Sequence, residues 1–378
     1  MEVLVVRQLC FLLLMIPAIS ASITAEPAVR LIKLFESGKD KYHTCRIPAL
    51  AVTEKGTLLA FCEGRKGSES DSGDIDLLMR RSVDNGNSWE TMQVIVDDDG
   101  NTCGNSCPIV DRHSGNIILL FCKNLGTANS DHILNGTAPP RSVWVTKSSD
   151  DGITWSAPVE ISDQVRKPGW RWYATGPCHG IQLTDGRLVA PCNHGTGNDD
   201  KDMHSHIIFS DDGGATWQIG GIQEGWTDES TGVELADGAL YLNMRNCRGT
   251  NRRAWSISHD RGLHWSPLGE DETLVEPVCQ ASVLRLSTEK THGKNRILFS
   301  NPASLRRENL TVRLSYDECE TWPVAKTLWP GPAAYSDLVV TSDGKIGCLF
   351  ECGESGPREM IALAFFTLEW LTDDKDRL

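Results

Sequence analysis

The stretch Ser82-Val-Asp-Asn-Gly-Asn-Ser-Trp89 follows the pattern Ser-x-Asp-x-Gly-x-x-Trp, and this pattern returns several times along the chain. Further complete copies span 148–155, 210–217 and 258–265. Another copy keeps Ser315, Asp317 and Trp322 but has Cys319 in place of the glycine. A motif that recurs about every 50 to 65 residues is typical of a propeller or another repeat array.

Each copy predicts a tight turn between two strands. Serine and aspartate side chains bond nearby backbone amides in such turns, and glycine adopts a positive φ without steric cost. Short alternating apolar runs such as 143–146 and 207–209 precede the copies, and long helical periodicity is nearly absent. We therefore predict an all-β fold with four-stranded blades. The aspartates of the repeat are interpreted as turn formers rather than catalysts, namely Asp84, Asp150, Asp212 and Asp260.

The first residues have the features of a secretory signal peptide. Arg7 precedes an apolar run at 9–19, and small residues follow at 20–22. A membrane anchor is the weaker interpretation, because spanning a bilayer takes roughly 20 apolar residues. We predict a signal peptide over 1–22 and one catalytic domain over 23–378. The mature protein is expected in the secretory pathway, either lysosomal or extracellular, with no transmembrane segment.

Composition narrows the choice of ligands. The 378 residues carry a formal net charge of −14 at pH 7, which disfavours nucleic acid and anionic membranes as partners. An anionic ligand would need a local cationic site. Export would permit disulfides among the cysteines, although their pairing cannot be read from sequence. Sequons at Asn135 and Asn309 agree with export. We predict no metal and no cofactor, because the sequence has no CxxC pair for zinc; a structural calcium stays an alternative, although no EF-hand-type loop is present.

The repeats resemble the Asp-boxes of the sialidase (neuraminidase) family. The similarity extends from about Tyr42 to Leu363, and the segments 300–303, 309–311 and 328–332 are similar to animal sialidases, including the lysosomal type. The resemblance implies a six-bladed β-propeller of four-stranded antiparallel blades. It also implies an exo-α-sialidase that removes terminal sialic acid from glycoproteins, gangliosides and oligosaccharides. By analogy with lysosomal relatives, it further suggests a stabilising partner protein.

The family binds the carboxylate of sialic acid with three arginines, because a guanidinium donates two parallel hydrogen bonds to a carboxylate. The resemblance implies Arg46, which opens an Arg-Ile-Pro motif, Arg245, which follows a short strand, and Arg313, which precedes the last repeat. Arg65 resembles another position that lines the pocket. Cys45 stands where the family has an aromatic residue, and the sequence leaves open whether it packs or forms a disulfide.

The family also uses an aspartate as general acid and base, on a loop before an Arg-Arg pair. The matching residue is Asp71, with Asp74 and Asp76 as alternatives in the same acidic loop. Its role is to protonate the departing glycosidic oxygen and then to activate water. An acid pH optimum is expected, because the reference pKa of aspartic acid is about 3.9.

Tyr335, in an Ala-Ala-Tyr-Ser-Asp segment, matches the family nucleophile. Sialidases differ from most retaining glycosidases in using tyrosine, and a neutral phenol is not repelled by the substrate's own carboxylate. Phenol has a pKa of about 10 and needs a neighbouring base. The match is Glu229, with Glu224 and Glu234 as rivals, and Glu351 matches the glutamate that holds the first arginine.

Two other functions use the same residues. A trans-sialidase would move sialic acid to a sugar or within the substrate, and analysis of the products would separate it from a hydrolase. A catalytically inactive propeller that only binds sialic acid would have lost Asp71, Glu229 or Tyr335. All three residues are present in this sequence, which favours the hydrolase.

Overall fold

In the computed structural model, which describes residues 28–378, the strands form six consecutive antiparallel units, or blades, arranged around a common axis. After the first strand, β1 Val29–Glu36, blade 1 consists of β2 Thr44–Val52, β3 Leu58–Arg65, β4 Ile75–Ser82 and β5 Gln93–Val96. Blade 2 consists of β6 Thr102–Val110, β7 Ile117–Asn124, β8 Ser142–Ser148 and β9 Val159–Glu160. In blade 3 the first strand is divided into β10 Trp172–Thr175 and β11 Ile181–Gln182, followed by β12 Leu188–Gly195, β13 Met203–Ser210 and β14 Gln218–Gly225.

The remaining three blades repeat this order. Blade 4 consists of β15 Thr227–Glu234, β16 Leu240–Asn246, β17 Arg252–Ser258 and β18 Gly269–Val275. Blade 5 consists of β19 Ser282–Ser287, β20 Arg296–Pro302, β21 Glu308–Ser315 and the first part of β22 Val324–Val340. Blade 6 takes the rest of β22, then β23 Ile346–Cys352, β24 Met360–Phe366 and β1. The short α-helices are α1 Ser130–Leu134, α2 Ser162–Val165, α3 Glu289–His292 and α4 Leu368–Thr372, and a 3₁₀ turn spans Asp200–Asp202.

The N-terminal strand closes the ring. β1 pairs antiparallel with β24, beginning with Val29 opposite Phe366, and so completes a blade whose other strands come from the C-terminal end. This closure explains why six blades carry only five repeat turns, since the third strand of blade 6 has no following fourth strand. The predicted all-β propeller with four-stranded blades is confirmed.

The repeat turns form as the sequence predicts. Ser82 Oγ donates to Asp84 Oδ1 at 2.8 Å and accepts from the Gly86 backbone N–H at 2.9 Å. Gly86 has φ +76°, and Cys319, which replaces the glycine in the fifth copy, also has a positive φ of +73°. Each turn follows the third strand of its blade. The first strands begin and the second strands end at the opposite face, which we call the site face.

Asp337 joins four blades near the axis. Its buried carboxylate accepts from the Leu50 backbone N–H at 2.8 Å, from His179 Nδ1 at 2.6 Å and from Ser282 Oγ at 2.9 Å. These donors lie in or beside blades 1, 3 and 5, and Asp337 itself belongs to blade 6. A single buried carboxylate therefore links different blades near the axis by hydrogen bonds.

Two further sequence predictions concern the cysteines and the N-terminal segment. The twelve cysteines of residues 28–378 are free, and eleven of them are buried, so the structure does not form the expected disulfides. Cys45 packs as a buried thiol in the core between blades 1 and 6. The predicted signal peptide, 1–22, lies outside the described residues. Within them, no helix has the length and apolarity needed to cross a bilayer.

Candidate active site

The topology gathers five of the predicted residues at the site face. Arg46 lies near the start of β2 and Glu229 near the start of β15, and both are first strands. Arg245 and Glu351 lie near the ends of the second strands β16 and β23. Tyr335 lies where β22 passes from blade 5 into blade 6. Residues far apart in sequence therefore meet at one end of the axis.

Arg46 is fixed by a buried carboxylate. Its Nε donates to Glu351 Oε1 at 3.1 Å and its Nη2 donates to Glu351 Oε2 at 3.3 Å. The Ile47 backbone N–H donates to the same Oε1 at 2.9 Å, with Ile47 at φ +60°. A β-branched residue rarely adopts this conformation, and such strain concentrates at functional sites. The bidentate pair holds the guanidinium in one orientation.

Tyr335 and Glu229 are hydrogen-bonded to each other. The phenol donates to Glu229 Oε1, while Arg245 Nη1 donates to Glu229 Oε2 at 2.9 Å and lies 3.4 Å from the phenolic oxygen. Burial and the negative charge of Glu229 raise the pKa of Tyr335 well above its usual range. The phenol is therefore protonated in the protein alone, and Glu229 is placed to accept its proton.

Asp228 adds a second carboxylate beside Arg245. One of its oxygens lies 3.7 Å from Arg245 Nε. Burial raises its pKa to about 6; the charge of Arg245 opposes this rise and that of Glu229 adds to it. Sequence reasoning did not single out Asp228, because an acidic residue next to Glu229 carries no separate signal. The raised pKa of Asp228 depends on its burial, which appears only in the folded protein.

Asp71 lies between two arginines of blade 1. Arg65 Nη1 is 2.7 Å and Arg46 Nη1 is 3.2 Å from Asp71 Oδ1. Partial desolvation by the surrounding pocket walls tends to raise the pKa of Asp71, but the charges of Arg65 and Arg46 outweigh it and lower the pKa below its ordinary value. Arg65 is itself held by Glu63 Oε2, at 2.6 Å from Nη2. Its side chain is buried, whereas that of Asp71 is 72% exposed, as suits a group that meets substrate.

The structure separates Asp71 from its alternatives. Asp74 and Asp76 surround the Lys66 ammonium at 2.8 and 3.1 Å, and Asp76 also accepts from the Tyr42 hydroxyl at 2.7 Å. Asp74 and Asp76 are therefore paired with Lys66, whereas Asp71 is paired with Arg46.

The rivals of Glu229 have other partners. Glu224 pairs with Arg248 at 3.2 Å. Glu234 accepts from the Thr184 hydroxyl at 2.7 Å, at the far end of β15. Neither carboxylate is bound to Tyr335, which donates to Glu229.

The structure does not bring Arg313 together with the other predicted site residues. Arg313 is buried in β21, and its Nη1 donates to Asn301 Oδ1 at 3.0 Å. The repeat turn that it precedes begins at Ser315, at the end of a third strand. That end lies opposite the site face, about 20 Å from the start of the strand at about 3.3 Å per residue. Arg313 stands two residues before this turn, in the half of β21 that is farther from the site face.

Arg307 provides the third cation instead. It lies in the loop before β21, and its guanidinium carbon is 5.6 Å from the centroid of the Tyr335 ring. The guanidinium carbon of Arg46 is 5.2 Å from the same centroid. Arg307 also lies within electrostatic range of Arg245 and Glu229. The sequence signal that could have identified Arg307 is its position in a loop between a second and a third strand. Asp71 lies in the equivalent loop of blade 1.

This arrangement can bind a carboxylate and carry out chemistry beside it. Three guanidinium groups converge on one phenol, from Arg46, Arg245 and Arg307. They supply a local cationic site on a chain of formal net charge −14. Beside it lie the phenol of Tyr335 with Glu229 as its base, and the exposed carboxyl group of Asp71.

Comparisons with known proteins show similarity over most of the chain. The BNR repeat-like domain family matches residues 56–348. A sialidase of Micromonospora viridifaciens is 35% identical over 366 residues, which cover 92% of this chain and 55% of that protein. An exo-alpha-sialidase of Aspergillus fumigatus is 33% identical over 339 residues, which cover 82% of this chain and 79% of that protein.

A solved structure extends the similarity to the fold. The Hadza microbial sialidase Hz136 superimposes with a TM-score of 0.81 at 31% identity, over 90% of this chain and 69% of that chain. The present chain spans about half the length of the Micromonospora protein.

Proposed function

The chain belongs to the sialidase family, and from this premise we propose that it is an exo-α-sialidase, a glycoside hydrolase that releases terminal sialic acid from glycans. The observation that carries the proposal is the hydrogen bond from Tyr335 to Glu229 beneath three converging guanidinium groups. This hydrogen bond supports Tyr335 as the nucleophile and Glu229 as the base that takes its proton. The guanidinium groups match a substrate with a carboxylate on the reacting carbon.

In the proposed mechanism, Arg46, Arg245 and Arg307 bind the carboxylate of sialic acid. Glu229 accepts the phenolic proton as the oxygen of Tyr335 attacks the anomeric carbon. Asp71 donates its proton to the departing glycosidic oxygen. Water then attacks the anomeric carbon of the sialyl-tyrosine while Asp71 takes a proton from it. The bond to the oxygen of Tyr335 breaks, the phenolate recovers its proton from Glu229, and the configuration is retained.

Substrate charge assists the acid. The pKa of Asp71 is lowered chiefly because Arg65 and Arg46 outweigh the effect of burial. A carboxylate bound to Arg46 offsets part of that positive charge and raises the pKa of Asp71 again. Binding of the substrate therefore favours the protonated form that the first step needs.

Hydrolysis of a fluorogenic α-sialoside tests the proposal. We expect activity with an acid optimum, and we expect Tyr335→Phe to abolish most of it because the nucleophile is lost. Tyr241→Phe is the matched control, since Tyr241 is another buried tyrosine of the propeller. A folded wild-type protein that cleaves no sialoside at any pH would refute the proposal.

We also propose that the chain enters the secretory pathway and carries an N-glycan at Asn135. Asn135 is exposed after α1, whereas the Asn309 amide donates to the Ala303 carbonyl at 3.3 Å and its oxygen accepts from Thr327. Expression in animal cells tests this proposal. Asn135→Gln should abolish a glycosidase-sensitive mass shift, and Asn309→Gln should preserve it.

A further inference from the structure

A groove of about 770 Å³ opens beside the candidate active site, on the side of the proposed acid. It is lined by Thr44, Glu69, Arg307 and Arg358, among other residues. Thr44 stands two residues before Arg46, and Glu69 stands two residues before Asp71. Because Asp71 would protonate the departing oxygen, the leaving group emerges from the site towards this groove.

Arg358 lines this groove and has no role in the proposed mechanism. It lies in the loop between β23 and β24, and its Nη1 is 3.0 Å from Glu69 Oε2. The side chains of Arg358 and Glu69 are 35% and 63% exposed. Ion pairs this open to solvent contribute little to stability, so an incoming carboxylate can replace Glu69.

The loop itself is rigidly built. The carboxylate of Glu359 accepts from the backbone N–H groups of Glu354, Ser355 and Gly356 at 2.8 to 3.0 Å. The Arg358 carbonyl accepts from Ser37 Oγ at 2.8 Å. Because Glu359 is engaged by these amides, the carboxylate that competes for Arg358 is that of Glu69.

We propose that this groove is a subsite for the leaving sugar, and that Arg358 selects a leaving sugar that itself carries a carboxylate. The substrate class is then a disialyl glycan, in which the terminal sialic acid is attached to a second one. A guanidinium gains more from a carboxylate than from a neutral sugar hydroxyl. The inference rests on the proposed sialidase function and adds a preference for the group next to the cleaved bond.

Two variants with opposite predictions test it. Arg358→Gln should lower the ratio of kcat/KM on disialyllactose to kcat/KM on sialyllactose by about two- to fivefold, because a partly exposed charge pair is lost. Glu69→Gln should raise the same ratio, because it removes the competing carboxylate and leaves Arg358 free to bind the substrate. Both proteins are compared with the wild type by thermal unfolding.

A purely structural role for the ion pair would move both variants in the same direction. That result would overturn the proposal, as would an Arg358→Gln protein with an unchanged ratio. Calorimetry in a Tyr335→Phe background provides a readout that needs no turnover. In this background, Arg358→Gln should reduce the difference between the affinity for disialyllactose and the affinity for sialyllactose. A wild type that binds disialyllactose more tightly but hydrolyses nothing would contradict the sialidase function and leave the subsite standing.

Discussion

Tyr335 donates its phenolic proton to Glu229, a residue that precedes it by 106 positions and lies two blades away. Arg245 donates to the other oxygen of Glu229 at 2.9 Å, so that the carboxylate is held between a phenol and a guanidinium. Burial raises the pKa of Tyr335, and a phenol in this state is unreactive until a base takes its proton. The pair is therefore the feature on which the proposed chemistry depends.

Arg307 and Arg313 form a matched pair of variants. Arg307→Ala should lower kcat/KM by about 30- to 1000-fold, because charged hydrogen bonds in a transition state are worth about 2–4 kcal/mol. Arg313→Ala should change kcat/KM far less and should instead lower the free energy of unfolding, because its partner Asn301 is buried in a neighbouring strand. Equal losses of activity in both variants would contradict the assignment of Arg307.

This pair also shows what the sequence can and cannot predict. The repeat predicts the turns and the propeller, because Ser, Asp and Gly act within eight residues of one another. Arg46, Arg245 and Tyr335 sit in local motifs and meet at the site face. Arg313 was assigned to the pocket because it precedes a repeat turn, but that turn begins at the end of β21 opposite the site face.

Some contacts have no local signature at all. The carboxylate of Asp337 joins residues that are 158 and 287 positions away, and these contacts exist only after the ring has closed. The burial that raises the pKa of Asp228 likewise depends on the folded structure.

The pH dependence should differ between free and bound protein. The pKa of Asp71 is lowered in the free protein, chiefly because Arg65 and Arg46 outweigh burial, and bound substrate relieves this effect. The alkaline limb of kcat/KM reports the free protein, so it should lie at lower pH than the alkaline limb of kcat. A pH series at saturating and at low sialyllactose measures both limbs. Coincident limbs would argue against Asp71 as the acid.

Asp71→Asn should also be selective for the leaving group. Sialyllactose needs a proton on its departing oxygen, whereas a nitrophenyl sialoside leaves as a stable anion. We expect a loss of at least about 100-fold in kcat on sialyllactose and a much smaller loss on the aryl substrate. Similar losses on the two substrates would mean that Asp71 acts in another way.

Asp228 should weaken binding of the product as pH rises. Its pKa is raised to about 6, chiefly by burial, so it ionises above that pH and then competes with a ligand carboxylate for Arg245. Inhibition by free sialic acid should become several-fold weaker above about pH 6. In Asp228→Asn this part of the pH dependence should disappear. An unaltered pH profile in the variant would exclude Asp228 as its source.

Asp337→Ala should destabilise the propeller strongly. It removes a buried carboxylate that accepts from Leu50, His179 and Ser282, and we expect a loss of about 3–5 kcal/mol in the free energy of unfolding. Asp84→Ala is the control, since it affects a single surface turn and should lower the free energy of unfolding far less. Urea unfolding measures both. A loss for Asp337→Ala no larger than that of the control would show that the axis does not depend on this carboxylate.

The most direct test of the central claim is to trap the covalent intermediate. The protein is incubated with 2,3-difluorosialic acid, digested, and the site of modification is located by mass spectrometry. We predict a single sialyl adduct on Tyr335, formed slowly in Glu229→Gln and absent in Tyr335→Phe. An active wild-type protein that carries no adduct on Tyr335, or carries it on another residue, would contradict the proposed mechanism.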